Sequence, residues 1–371
     1  MRMKFTDIVE FSGKTCSTFD GKKNYISTGC VHDNHICKDE IETVEYINKP
    51  SRANLVVEPG DILFAKMQAT KKTLLINEDL SQNIYSTGFY AVKPKDGLIT
   101  KKCLFYLINS SLFLGEKDKN CSGATQKAIN NQGLSSIELN IPEFSVQKLL
   151  TQKLDVLSKA IEAKQSQIRF FDNLIKARFV EMFNMESYPI KPLSEIAEYW
   201  NGLTYKPSDV SSDGTIVLRS SNIQDMQLDL NDIVRVKCEI NNKKMVKTND
   251  ILMCSRNGSA KLVGKVALIP ELEETMSFGA FMMIIRSAYY PYLMTYFQLP
   301  VFRSQISTGT TTINQITRYM LDKVSLPVPD MAKIKEFKTF VIQVDKSKFA
   351  VQKSLEKTQL LFDSLMQEYF G

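Results

Sequence analysis

The sequence predicts an α+β fold: two β-rich mixed α/β domains separated by two long antiparallel helices that form a coiled coil, arranged as a pseudo-twofold internal repeat. Three observations predict it. One set of short motifs occurs twice in the same order. Each set opens with short β-branched and aromatic runs punctuated by Gly, Pro, Asn and Asp. Each set closes on a stretch of roughly 40 residues whose apolar positions recur every 3.5 residues.

The duplication is carried by five matches. The segment near Tyr25, YISTGCVHDNHI, corresponds to VLRSSNIQDMQL near Val217. Gly60-Asp61-Ile62-Leu63 corresponds to Asn249-Asp250-Ile251-Leu252, and Gly123-Ala124-Thr125 to Gly309-Thr310-Thr311. Leu139-Asn140-Ile141-Pro142 corresponds to Leu326-Pro327-Val328-Pro329, and Phe171-Asp172-Asn173-Leu174 to Phe362-Asp363-Ser364-Leu365. Each match alone is weak. Five in one order, with offsets confined between 186 and 192 residues, mark a duplicated unit. Two copies are too few for a solenoid, which stacks at least three small repeats.

In the first copy, strands are expected at Asn54-Leu55-Val56-Val57, Asp61-Ile62-Leu63-Phe64, Thr73-Leu74-Leu75-Ile76 and Gly88-Phe89-Tyr90-Ala91-Val92. The second copy offers Asp250-Ile251-Leu252-Met253, the run from Gly264 to Ile269, and Phe281-Met282-Met283-Ile284-Ile285. A short helix is expected in each, around residues 104–113 and 292–302, with Pro300 ending or bending the second.

The seam of the first long helix runs Leu150, Leu154, Leu157, Ile161, Lys164, Ile168, Phe171, Ile175, Arg178, Met182. That of the second runs Ile334, Phe337, Val341, Val344, Lys348, Val351, Leu355, Thr358, Phe362, Leu365, Tyr369. Neither stretch contains Pro or Gly, and Pro142 and Pro329 precede them, where proline is tolerated. Two amphipathic helices lying on separate domain cores would also be apolar on one face. The 3.5 period sustained over ten positions favours packing of one helix on the other. Lys164, Arg178 and Lys348 interrupt the seam; their stems can pack while the charges reach water or another subunit. The chain thus divides into a domain (1–142), a spacer helix (143–186), a domain (187–329) and a second spacer helix (330–371), each helix spanning ~60 Å at 1.5 Å per residue.

Composition bounds the function. Hydrophobic residues make up 43%, enough for a core in each half. Lys and Arg number 47 against 41 Asp and Glu, a small excess that permits nucleic-acid binding without demanding it. The opening MRMKFTDIVEFSG does not read as a signal peptide, and no apolar run approaches the ~20 residues of a spanning helix. The seven cysteines form no CxxC pair and are expected as reduced thiols in a cytoplasmic protein.

At this point the whole chain resembles the specificity (S) subunits of type I restriction–modification systems, the HsdS family. The resemblance rests on the repeated order of β-rich domain, Ser122-Gly123-Ala124-Thr125-Gln126, the exit Ile141-Pro142-Glu143, and Phe171-Asp172-Asn173-Leu174-Ile175-Lys176-Ala177-Arg178-Phe179. The second copy supplies Thr308-Gly309-Thr310-Thr311-Thr312, Pro327-Val328-Pro329 and residues 362–370, with Leu218-Arg219-Ser220-Ser221-Asn222-Ile223 also resembling the family. Two departures stand out. The acidic-Gln pair that often opens the family's helices is replaced by Glu143-Phe144 and Asp330-Met331, and Thr312 stands where the first copy has Gln126. The resemblance implies a non-catalytic subunit without cofactor. Its two target-recognition domains would each read half of a split site in double-stranded DNA. It would recruit methyltransferase (M) subunits and, for cleavage, restriction (R) subunits. The alternative from another class is a non-catalytic coiled-coil protein-interaction scaffold.

Chemistry-bearing motifs are few. No Asn/Asp-Pro-Pro-Tyr/Phe loop or methyl-donor Gly-rich loop is present, and Arg256-Asn257-Gly258-Ser259-Ala260-Lys261 lacks the phosphate-loop spacing. Pro329-Asp330 with Glu336-Phe337-Lys338 imitates a nuclease pattern but opens a coiled helix rather than lying on strands. Cys30, His32, His35 and Cys37 include both histidines of the chain and could in principle hold zinc. The reading preferred is a loop of ordinary thiols, since one compact loop rarely supplies all four ligands. DNA contacts are expected from loops beside the strands: Lys22, Lys23, Lys66, Lys71, Lys72, Gln126 and Lys127 in the first domain, and Arg219, Arg256, Lys261, Lys265, Thr312 and Arg318 in the second.

Overall fold

The structure, a computed structural model, describes residues 1–124, 126–183, 187–306 and 315–371. The chain divides into two compact units, one of residues 1–165 with 353–371 and the other of residues 166–352. Each unit contains one β-rich body and a stretch of both long helices.

The first unit is built on strands β1 (Val9–Phe11), β2 (Lys22–Ile26), β3 (Ile62–Ala65), β4 (Thr73–Leu75), β5 (Ile84–Ser86) and β6 (Phe89–Pro94). The helices α1 (Lys101–Ile108) and α2 (Ser111–Lys119) follow, and then the long α3 (Phe144–Met182). One sheet has the order β4-β3-β6-β1 and is antiparallel throughout. A second sheet contains a parallel pair, β2 beside β5. The ribbon Arg2–Lys4 pairs with Glu138–Asn140 and closes the body just before the long helix begins.

The second unit repeats this element by element. Its strands are β7 (Glu198–Asn201), β8 (Val210–Leu218), β9 (Ile251–Cys254), β10 (Val266–Leu268), β11 (Met276–Phe278) and β12 (Met282–Arg286). Its helices are α4 (Tyr290–Tyr296), α5 (Pro300–Ile306) and the long α6 (Met331–Phe370). The antiparallel sheet runs β10-β9-β12-β7, the parallel pair is β8 with β11, and Ile190–Pro192 pairs with Ser325–Pro327. The expected strands therefore fall where the residues placed them. The expected single short helix is instead two in each copy. Asn109 and Ser110 separate the first pair, Ser110 capping α2 by accepting from the Phe113 amide. Pro300, expected to end a helix, starts α5, where a missing N–H costs nothing.

The repeated Gly/Asn-Asp-Ile-Leu motif is a tight corner at the head of the central hairpin. Gly60 and Asn249 both take left-handed backbone, φ 94° and 70°. That suits glycine and is tolerated by asparagine. The aspartate after each is buried and accepts a backbone N–H three residues back, Glu58 to Asp61 at 2.8 Å and Lys247 to Asp250 at 2.7 Å. The carbonyls of Asp61 and Asp250 accept from Ile76 and Ile269, both at 2.9 Å, which fixes the partner strand. Each carboxylate faces a cation from the neighbouring strand. Lys93 Nζ lies 3.6 Å from Asp61, and Arg286 donates twice to Asp250, at 2.7 and 2.6 Å.

The two ways the long helices could pack are both realised, in different stretches. In the first unit, Leu150 and Leu154 of α3 and Met366 and Phe370 of α6 are buried in the same core as Phe5, Phe64 and Phe113. In the second, Phe179 of α3 stacks on Tyr292 with centroids 5.0 Å apart and meets Phe337 of α6 at 5.7 Å. Helix also packs on helix there. Asp172 pairs with Lys348 at 2.6 Å and Arg178 with Glu336 at 3.3 Å, so within this unit the two helices run antiparallel. Every position of both seams is buried or half-buried. Arg178 and Lys348 do not merely reach water: each crosses to a carboxylate on the other helix, and Lys348 is only 12% exposed.

The Asp250 corner makes a stability prediction. Asp250→Ala leaves Arg286 without its anion and the Lys247 amide without its acceptor, so it should lower unfolding stability by about 3 kcal/mol in urea titration. Asp213→Ala, which breaks an ion pair exposed on both sides, should leave the urea midpoint essentially unchanged. Equal effects of the two substitutions would contradict the role given to the corner.

Candidate nucleic-acid interface

In each unit, several chain segments meet at one end of the antiparallel sheet. In the first, the loop from β3 to β4 begins at Lys66, whose N–H donates to Gly88 O at 2.9 Å and whose carbonyl accepts from Ile129 at 2.9 Å. In the second, Ser255 holds the same place: its N–H donates to Phe281 O at 2.9 Å and its carbonyl accepts from Ile316 at 2.7 Å. The bridges Met67 to Ala128 and Arg256 to Gln315 repeat as well. The segment after the parallel strand joins by side chain. Lys72 Nζ donates to Thr28 O at 2.6 Å, and Asn257 Nδ2 donates to Ser220 Oγ at 3.1 Å.

In the second unit this convergence forms an open cleft of about 920 Å³, walled by Tyr205, Arg219, Ser220, Arg256, Asn257 and Phe281 among others. Phe281 is 60% exposed, and the Arg256 guanidinium lies over its ring at 5.3 Å from the centroid. Arg219 reaches the same cleft, held by an ion pair with Asp232 at 2.9 Å. Two guanidiniums, two amide or hydroxyl side chains and an exposed ring suit contact with phosphates and base edges.

The sequence-predicted residues fall into groups. Arg219 and Arg256 share the cleft. Lys261 and Lys265 are exposed on the loop that carries Arg256, and Arg318 is exposed two residues beyond Ile316. Thr312 lies outside the described residues. In the first unit, Lys66, Lys71 and Lys72 share one loop, and Gln126 and Lys127 stand beside it, the Lys127 carbonyl accepting from Gln68 N–H at 2.9 Å. Lys66 is half-buried with Nζ 4.3 Å from the Tyr90 ring centre, and burial pushes its ammonium below the usual lysine range. Lys22 and Lys23 are not part of this group. They open β2, at its far end from Thr28, where Lys23 covers Phe19 at 5.2 Å.

Sequence reasoning missed Tyr205, Ser220, Asn257 and Phe281. Asn257-Gly258-Ser259 lies in the run that lacks the phosphate-loop spacing, and Asn257 ties two walls of the cleft together. The nuclease-like pattern resolves into helix chemistry: Asp330 accepts from the Lys333 amide at 2.9 Å as a cap, and Glu336 pairs with Arg178 and Lys333. Of the zinc candidates, Cys30 is buried and donates to Glu40 O at 2.8 Å, while His32 pairs with Glu40 Oε2 at 3.0 Å. Among the described residues no group of three or more His, Cys, Asp or Glu is arranged to hold a metal ion.

Residues 2–169 match the family model described as the type I restriction modification DNA specificity domain. That match takes in a little under half of the chain, which over this stretch is similar to type I specificity subunits. The chain is 25% identical over 272 residues to the EcoKI specificity subunit of Escherichia coli K12, an alignment covering 66% of this chain and 58% of that one. It is 25% identical over 162 residues to the HindI specificity subunit of Haemophilus influenzae, covering 43% and 35%. The chain thus spans between 35% and 58% of the curated relatives it matches. In fold it is similar to the type I S subunit from M. genitalium, with TM-score 0.55 and 14% identity, over 100% of this chain and 96% of that one. Among the described residues no helix is long and apolar enough to cross a membrane.

The cleft predicts that Arg256→Ala weakens association with duplex DNA and lowers the salt dependence of binding by about one counterion. Lys237→Ala, on an exposed lysine outside the cleft, serves as the control. Titrations at several salt concentrations in which the two variants behave alike would contradict the placement of the interface.

Proposed function

We propose that this chain is the DNA sequence-specificity subunit of a type I restriction–modification complex, reading a bipartite site in double-stranded DNA. The observation that carries this reading is the duplication of the convergence itself. The same loop, the same bridge and the same neighbouring segments stand at the same end of the same sheet in both units, and each is dressed with cations. A molecule that reads two half-sites needs two such surfaces. The division into residues 1–142 and 187–329 as target-recognition domains, with 143–186 and 330–371 as spacer helices, belongs to this reading.

In this role the subunit performs no chemistry. Lysine and arginine contacts to phosphates supply most of the affinity, and side chains at base edges supply the choice of sequence. Methyl transfer falls to the M subunits and cleavage to the R subunits, which the specificity subunit would gather on one site. A cytoplasmic location follows from that partnership with cellular DNA.

The test is methyl transfer from a labelled donor. The highly purified chain alone should transfer no methyl groups, whereas the chain with the M subunit of its own system should methylate adenine within one bipartite sequence. Transfer by the chain alone, or methylation by M alone at the same sequence, would sink the proposal.

A further inference from the structure

The loops from β3 to β4 and from β9 to β10 carry most of the cations assigned to DNA contact, yet loops of seven and eleven residues between short strands do not hold their own shape. In the first unit, the loop is gripped from below. Lys117, on α2, is only 1% exposed. Its Nζ donates to Met67 O at 2.9 Å and to Thr70 O at 2.8 Å, and Asp118 Oδ1 lies 3.5 Å away. Asp118 also accepts from Ala69 N–H at 3.1 Å, holding Ala69 at a left-handed φ of 55°. A fully buried ammonium is costly, and here burial pushes it below the usual lysine range. The cost is offset by closing both loop carbonyls.

The second unit has the same device in different residues. Arg303, on α5, donates from Nη2 to Val263 O at 2.6 Å. Gly264, at φ 81°, leaves room for the guanidinium: a Cβ there would sit 2.9 Å from Arg303 Cζ and both terminal nitrogens. Lys117 and Arg303 lie 186 residues apart, the offset that also relates Gly123 to Gly309. The two loops differ in length and sequence, but each receives one cation from the second short helix into its backbone.

We propose that Lys117 and Arg303 are positioning residues for base recognition, each locking the recognition loop of its own unit without touching DNA. This rests on the proposed function and deepens it, by separating the groups that read from the group that holds them.

The test uses the full chain complexed with the M subunit of its own system, comparing DNA duplexes substituted one base at a time in each half-site. Lys117→Met should relax discrimination at one half-site on the order of tenfold while the other is unchanged. Its salt dependence should match wild type, because no phosphate contact is lost. Lys117→Arg should restore discrimination, since the second unit uses arginine for the same task. Arg303→Met should relax the other half-site. Unchanged discrimination in Lys117→Met, equal relaxation of both half-sites, or a salt slope lowered by about one would each overturn the proposal. If Lys117→Met fails to fold, Arg303→Met and Lys117→Arg decide, and collapse of both methionine variants would assign these cations to core stability alone. A wild-type complex with no bipartite preference would instead refute the proposed function, and that outcome is separate.

Discussion

A carboxylate shut away from water stands at the head of the central hairpin in each copy, and the rest of each unit depends on it. Such a carboxylate loses its hydration and must be hydrogen-bonded or paired instead. Asp61 and Asp250 each therefore take an amide from the turn and face a cation on the adjacent strand, while the carbonyl of each receives the returning strand. The register of β3 with β4 and of β9 with β10 is set at that corner. β3 and β9 are buried on both faces, so a slip of one residue would exchange the side chains packed against their two sides. The loops that carry Lys66 and Arg256 begin five residues further on, at the other end of the same hairpins. Their placement is inherited from a polar contact at the far end.

The long helices solve a different problem. A strictly apolar seam can slide by a heptad at small cost. Charged partners at Asp172–Lys348 and Arg178–Glu336 are satisfied in one register only. Lys348 is mostly buried, so its pairing with Asp172 is the more demanding contact; the Arg178 pair is more exposed and contributes less. Both helices also enter the domain cores near their ends, through Leu150, Leu154 and Phe179 of α3 and Phe337 and Phe370 of α6. Each unit is thereby completed by residues from two distant stretches of chain.

Much of this was legible in the sequence, for identifiable reasons. The Gly60-Asp61 and Asn249-Asp250 pairs were visible as a repeat because left-handed backbone restricts residue choice. The seams were visible because their period cannot be mimicked by a strand. The break between α1 and α2 was not legible: Asn109 and Ser110 are compatible with a continuous helix until the Ser110 hydroxyl is seen to cap the next one. Phe281 reads as one more apolar residue of a buried strand, and only the end of that strand shows that it faces the cleft. Lys117 lies in Gly115-Glu116-Lys117-Asp118-Lys119, where every neighbour looks solvated. It is buried because a loop from 50 residues away folds over it. Cations chosen from sequence divided accordingly: Arg219 and Arg256 meet in one cleft, while Lys22 and Lys23 stand at the opposite end of their strand.

Under the proposed function, each unit reads its own half of the DNA site. Exchanging residues 1–142 for the corresponding segment of a relative with a different specificity, followed by sequencing of methylated bases in cells carrying the chimera and its M subunit, tests this most directly. One half of the methylated sequence should change to that of the donor, with the other half retained. A chimera that methylates robustly with both halves altered, or with neither altered, would contradict independent reading by the two units.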